Sequence, residues 1–254
     1  MEFSSIYTIW LREIKRFMKD KTRYLGGLIN PIGYFVIMGF GLGGAFSDVV
    51  EGGNYMQFIL PGIIGMALLF TSIFSAISVI FERQFGFLKE MLVAPISRTS
   101  IVIGKVLGSA TTAMLNGVVL LLIGIVFGII PAAQLNPVSI LIALVFMLLI
   151  ASSFVALGLA LAAKMNSMEG FQFVMGFLVM PVFLLSGVFF PIANLPDFLQ
   201  VLAYIDPLMY GIEGLRYALL GTSFISPFIA LGALLIFNGL MIAVAARLFK
   251  KMSA

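Results

Sequence analysis

The sequence predicts an all-α membrane protein with six transmembrane helices, and three observations predict it. First, 61% of the 254 residues are hydrophobic and only 10% are charged, with a mean hydropathy of +1.15. A soluble domain carries about 25% charged residues, and a soluble fold of this length could not hide so much apolar side chain. Second, six stretches reach the roughly 20 mainly apolar residues that a bilayer crossing requires. Third, the cations fall almost entirely on one side of those stretches.

The first span is Leu25–Ala45, preceded by a charged leader of more than twenty residues. No convincing small-residue cleavage pattern follows it, so it is expected to remain as a span. The second and third are Gln57–Phe81 and Val106–Ile130, and the fourth is Val138–Ala163. The fifth, Phe171–Phe190, is the shortest and carries Pro181 in its middle, where a missing backbone donor predicts a kink. The sixth is Phe224–Ala246.

Fourteen of the fifteen Lys and Arg residues lie before span one, between spans two and three, between four and five, or after six; only Arg216 lies on the other side. Positive residues stay cytoplasmic, so both termini are expected inside. The net charge of +4 therefore reads as membrane orientation and not as nucleic-acid binding.

Three segments outside the spans carry further information. Residues 1–23 form an amphipathic helix, with Phe3, Ile6, Trp10, Ile14 and Phe17 on one face and Arg12, Lys15, Arg16 and Lys19 on another. Such a helix lies flat on an anionic leaflet, as an anchor for span one, as a docking surface for a cytosolic partner, or as both. The cytoplasmic segment 82–98 mixes Glu82, Arg83, Glu90 and Arg98 with Phe85, Phe87, Leu88 and Met91. It reads either as a short helix with one face bound to something, ended before Pro95, or as a loop packed on its own helix ends. Segment 191–223 is too apolar for a free loop and too broken to span. Two short helices, about Pro196–Tyr204 and Met209–Leu220, fit it best as a pair re-entering the outer leaflet. Glu213 and Arg216 are three residues apart and share a helical face, as a structural ion pair or a gate contact.

Several functions are excluded. Cysteine and histidine are absent, which removes disulfides, thiolate chemistry, imidazole catalysis and the usual zinc sites. The spans hold no charged residue away from their ends, against an ion-coupled transporter and against an intramembrane hydrolase. Thr71, Ser72, Ser75, Ser78, Ser152 and Ser153 lack a base, so they read as interhelical hydrogen-bonding groups. Four small-residue pairs, Gly39 with Gly43, Gly104 with Gly108, Gly124 with Gly128 and Gly158 with Ala162, allow close helix approach, but in so glycine-rich a chain they are a weak dimerisation signal. Gly104-Lys105 is no phosphate-binding loop, because Val106 follows it and Thr99 stands where the first glycine belongs. Energy for any work must come from another polypeptide.

With these features in place, the chain resembles the permease subunit of type-2 ABC transporters, the group of daunorubicin-resistance and nodulation-factor exporters. Three stretches carry the likeness: Glu82-Arg83 through Leu88-Lys89-Glu90-Met91-Leu92-Val93-Ala94-Pro95-Ile96-Ser97-Arg98 to Ile103-Gly104-Lys105; Leu185-Ser186-Gly187-Val188-Phe189-Phe190-Pro191 with Leu195-Pro196; and Asp206-Pro207-Leu208-Met209-Tyr210 with Leu215-Arg216 and Leu219-Leu220-Gly221. One departure is Gln84-Phe85-Gly86-Phe87, where relatives commonly carry a more polar run.

The resemblance implies a single permease domain over 1–254 that is not an enzyme and holds no cofactor or metal of its own. ATP and magnesium would sit in a partner nucleotide-binding subunit, in two copies, beneath two permease protomers that are identical or homologous. Residues 82–98 would be the coupling helix, with Glu82, Arg83, Phe85, Phe87, Leu88, Glu90, Met91, Pro95 and Arg98 meeting that subunit. Spans one, two and five would line the path. The re-entrant pair, with Pro191, Asp206, Pro207, Tyr210, Glu213 and Arg216, would form the outer gate. The implied activity is export of a hydrophobic or amphipathic substrate (a drug, lipid or lipid-linked glycan) across the plasma membrane of a prokaryote. A passive channel and a non-transporting scaffold or sensor permease are the alternatives.

Overall fold

The computed structural model describes residues 2–46, 54–86, 96–165 and 167–252. Their regular structure is helical throughout. Helix α1, Glu2–Lys19, leads into α2, Lys21–Gly41, and a single turn at Gly43–Phe46. Next come α3, Tyr55–Gln84, and α4, Arg98–Val126. They are followed by α5, Pro137–Lys164, and α6, Met168–Leu185. Two short helices, α7 at Asp197–Ile205 and α8 at Pro207–Leu220, precede α9, Pro227–Lys250.

Five of these helices, α3, α4, α5, α6 and α9, are long and apolar enough to cross a membrane, and α2 adds a shorter apolar stretch, Gly26–Gly41. The five coincide with the expected spans two to six, and the shorter stretch in α2 lies within the expected span one, Leu25–Ala45. The largest shift is at α4, which starts at Arg98 because Ser97 caps it: Ser97 Oγ accepts from Ser100 N at 3.1 Å. Side-chain caps set other starts in the same way. Asn136 Oδ1 accepts from Ser139 N at 2.9 Å, and Asp206 Oδ1 accepts from Leu208 N at 2.9 Å, each with a proline at the first helical position. Gly221, at φ 77°, ends α8 in the left-handed conformation.

The disturbance expected at Pro181 takes the form of a π-helical stretch, Met175–Val179, just before it. Pro181 cannot donate to the carbonyl of Phe177, and the wider turn absorbs the lost bond.

Helices α3 and α5 form the centre, with most of α3 buried inside the bundle. Around them pack α4, α8 and α9, while α2 and α6 lie further out against α3. Ile59, Ile63, Leu68, Phe154 and Ile212 are among the fully covered core residues. Two asparagines inside the bundle find partners across helices. Asn116 Nδ2 donates to Thr71 Oγ1 at 3.1 Å, and Asn238 Nδ2 donates to Ser153 Oγ at 3.1 Å and to Ser152 Oγ. The expected interhelical role holds for Thr71, Ser152 and Ser153. Ser75 and Ser78 instead donate to carbonyls three residues back in their own helix, and the buried Ser72 Oγ meets no hydrogen-bond partner among the described residues.

Candidate functional site

Helix α1 lies along α4 because Gly104 and Gly108 let it approach. A Cβ on Gly104 would stand 2.8 Å from Ile9 Cβ, and one on Gly108 would stand 2.6 Å from Glu13 Cβ. Contact with these two glycines selects the buried line of α1. It runs through Ile9, Glu13 and Phe17, with Ile6, Trp10 and Ile14 half-buried beside it. Phe3, placed on the apolar face by sequence, is 89% exposed. The face is turned toward Glu13 because Glu13 meets a cation beneath it. Trp10 Nε1 adds a hydrogen bond to Thr111 Oγ1 at 3.1 Å.

That cation is Lys105, 1% exposed, with its Nζ 2.8 Å from Glu82 Oε2 and 3.4 Å from Glu13 Oε1. Arg12 Nη2 reaches Glu82 Oε1 at 3.0 Å and Glu13 Oε1 at 3.2 Å, and Arg16 Nη1 reaches Glu82 Oε1 at 3.4 Å. Two carboxylates, one from α1 and one from the end of α3, thus share three cations, two from α1 and one from α4. Burial works against the charged form of Glu13, but Lys105, then Arg12 and Arg16, outweigh it and hold its pKa below the ordinary 4.5. Breaking such a buried pair from one side costs about 3–5 kcal/mol, because a charge is left without a partner.

The other residues singled out for coupling divide sharply. Arg83 donates to the carbonyls of Ala163, 2.9 Å, and Met165, 2.8 Å, at the end of α5. Arg98 donates to the carbonyls of Phe249, 3.3 Å, Lys250, 2.7 Å, and Met252 at the end of α9. Phe85 is 72% exposed and stacks on Phe81. Phe87, Leu88, Glu90, Met91 and Pro95 lie outside the described residues. Lys15 lies on the exposed side of α1, lining a shallow basic groove with Arg12, Arg16, Lys19 and Asp20.

At the opposite end of the bundle, Arg216 Nη1 donates to Glu213 Oε1, as the three-residue spacing predicts. Both side chains are buried. Arg216 Nη2 also donates to Gly187 O at 3.1 Å, and its guanidinium lies 4.1 Å from the centre of the Phe58 ring. Glu213 Oε2 accepts from Phe224 N at 2.7 Å. The pair therefore fastens α8 to the turn after α6, the linker to α9 and the face of α3. Asp206 and Pro207 start α8, Tyr210 Oη donates to Tyr204 O at 2.8 Å, and buried Pro191 opens the turn Ile192–Asn194.

Between α2, α3 and α6 lies a cavity of about 380 Å³. Its walls are mainly apolar, including Pro31, Met66, Phe70, Phe74, Met180 and Phe183, with Asn30, Tyr34 and Thr71 as polar points.

The comparison with known proteins decides what this assembly belongs to. The profile of the ABC-2 type transporter family matches residues 4–220, from α1 to the end of α8. The chain belongs to that family. Among relatives of this permease, Inner membrane transport permease YadH of Escherichia coli K12 is 31% identical over 235 residues, 92% of this chain and 90% of the other. Nodulation protein J of Sinorhizobium fredii is 28% identical over 215 residues, 84% and 80% of the two chains. Putative transport permease ycf38 of Cyanophora paradoxa is 28% identical over 196 residues, 76% and 66% of the two chains.

Sequence reasoning missed Glu13 and Lys105 in this ABC-2 permease. In the sequence Lys105 stands only as a cytoplasmic cation and as the end of the first family-like stretch, and Glu13 carries no role. The signal was present in the spacing Ile9, Glu13, Phe17, which sets an acid into an apolar helical stripe. The cavity-lining Asn30 and Tyr34 were likewise not singled out, because neutral polar residues in a span have no distinctive spacing.

Proposed function

We propose that the chain is the membrane subunit of an ATP-driven exporter in the inner membrane, working with ATP-binding subunits made as separate polypeptides. In this reading all six apolar stretches cross the bilayer, α2 included. Both termini face the cytoplasm, and α7 and α8 re-enter the outer leaflet as the gate. Two permease protomers meet two ATP-binding subunits, which hold ATP and magnesium. Residues 82–98 receive the push.

The observation that carries this reading is the buried cluster of Glu13, Glu82 and Lys105. It joins the interfacial helix to both transmembrane helices that flank segment 82–98. A thrust on that segment then displaces α1, α3 and α4 as a body, the kind of rigid-body shift that switches a packed bundle between two arrangements. A loop that merely connected two spans would need no such frame.

The cavity between α2, α3 and α6 supports a path along spans one, two and five. Its phenylalanine and methionine walls with a few neutral hydrogen-bonding groups suit a hydrophobic or amphipathic substrate. Drugs, lipids and lipid-linked glycans are the classes that fit.

The test is co-purification of the tagged chain from its native membrane in mild detergent, followed by an ATPase assay. Recovery of an ATP-binding subunit near one-to-one, with vanadate-sensitive hydrolysis, is expected. Recovery of the chain alone, with no hydrolysis, overturns the reading.

A further inference from the structure

Segment 84–97, of which 84–86 and 96–97 are described, is flanked on each side by an arginine that reaches away from its own helix. Arg98 is the first residue of α4. A cation there faces the positive end of the α4 dipole, an unfavourable position. Its side chain crosses instead to the carbonyls of Phe249, Lys250 and Met252, at the negative end of α9. At the other end of the segment, Arg83 spreads its two terminal nitrogens over the carbonyls of Ala163 and Met165, at the negative end of α5. These carbonyls lie at or just past helix ends, where intrahelical donors run out, although Phe249 O also accepts from Met252 N at 3.3 Å. Each arginine thus closes one helix terminus and ties it to one end of the segment. Helices α5 and α9 pack on each other and are joined by Asn238 to Ser152 and Ser153.

We propose that Arg83 and Arg98 are positioning residues that make the cytoplasmic ends of α5 and α9 move with segment 84–97. Through them a displacement of the segment reaches the fourth and sixth apolar helices directly, in addition to α1, α3 and α4. Both links use main-chain carbonyl acceptors, which do not titrate, so they hold at any pH that keeps the helices folded.

The absence of cysteine allows spin-label pairs to be introduced singly. Gln84→Cys with Lys164→Cys reports the first link, and Ile96→Cys with Lys251→Cys reports the second. With the permease alone in lipid nanodiscs, Arg83→Gln is expected to broaden the 84–164 distance distribution and leave 96–251 unchanged; Arg98→Gln is expected to do the reverse. Lysine at 98 is expected to restore the narrow distribution, since one nitrogen serves all three carbonyls there. Lysine at 83 is not, because two separate nitrogens are needed. Distributions that stay narrow in both glutamine variants overturn the proposal.

The second arm rests on the function proposed above and uses the complex with its ATP-binding subunit, trapped with ATP and vanadate. Both distances are expected to stay fixed on trapping in the wild type and to change in the matching glutamine variant. A change in the wild type shows independent motion and overturns the proposal. If no ATP-binding subunit is recovered, it is the proposed function that fails, and the nanodisc measurement still decides the arginines.

Discussion

Lys105 Nζ lies 2.8 Å from Glu82 Oε2 beneath α1, and both side chains are buried. Their attraction compensates for the loss of water around two charges only while both are present. Lys105→Met leaves Glu13 and Glu82 facing each other with only the half-exposed Arg12 and Arg16 as partners. It is expected to cost about 3–5 kcal/mol and to loosen α1, read as faster proteolysis in the 2–19 segment. The double variant Lys105→Met with Glu82→Gln removes one of the stranded charges and is expected to recover part of that loss. Equal behaviour of the single and double variants would show that the pair is not coupled.

The same cluster sets a pH dependence. The folded pKa of Glu13 lies below its ordinary 4.5, so its contribution is complete at neutral pH and is lost as pH falls through the folded value. Attachment of α1 is therefore expected to be flat from pH 7 to about 5 and to weaken in more acidic solution. Glu13→Gln should remove most of that acid-dependent step while lowering attachment at pH 7. An identical acid profile in Glu13→Gln would locate the titrating group elsewhere.

Seating of α1 on Gly104 and Gly108 has an optical reporter, since Trp10 is the chain's single tryptophan. A valine at 108 would force its Cβ against Glu13 Cβ, 2.6 Å away, and lift α1 from α4. Gly108→Val is expected to break the Trp10–Thr111 hydrogen bond and shift tryptophan emission to the red. Gly26→Val, where a Cβ meets nothing within 4 Å, is the control and should leave the emission in place.

These residues also show how far sequence reached. The apolar spans were legible because hydrophobic length is a one-dimensional property. Glu213 and Arg216 were legible because helical spacing alone brings them together. Pro181 announced a break in α6, but not the π turn that absorbs it. Glu13, Lys105, Arg83 and Arg98 were illegible as structural groups for a common reason. Each is satisfied by an element far away in the chain, and a cation near a span end looks the same whether it faces water or a distant carboxylate. Burial of Lys105 follows only once α1 has folded over it, which requires the glycines of α4, the acid of α1 and the end of α3 together.

The charge count predicts an orientation in the bilayer that is open to a direct check. A reporter fused after Asn54 is expected to read as external, and one at the C-terminus as cytoplasmic. Gly221, just after α8, should read with Asn54 if α7 and α8 dip into the outer leaflet and return. A cytoplasmic signal after Asn54 would invert the assignment of α1 and segment 82–98 to the side where ATP is available.

At the far end of the bundle, Arg216 is expected to be more than a partner for Glu213. Arg216→Ala strands Glu213 in a buried site, where one remaining neighbour, Phe224 N, cannot balance its charge, at a cost of about 3–5 kcal/mol. Arg216→Lys restores the charge, but a single ammonium cannot pair with Glu213, donate to Gly187 O and lie flat over Phe58 together. Thermal stability is therefore expected to rank wild type above Arg216→Lys, and Arg216→Lys above Arg216→Ala. The lysine variant should also loosen the 186–191 turn, seen as faster amide exchange at Val188 and Phe189. If lysine matches the wild type in both measurements, the residue acts only as a counter-charge, and the fastening of α8 to α3 and to the turn after α6 must come from apolar packing alone.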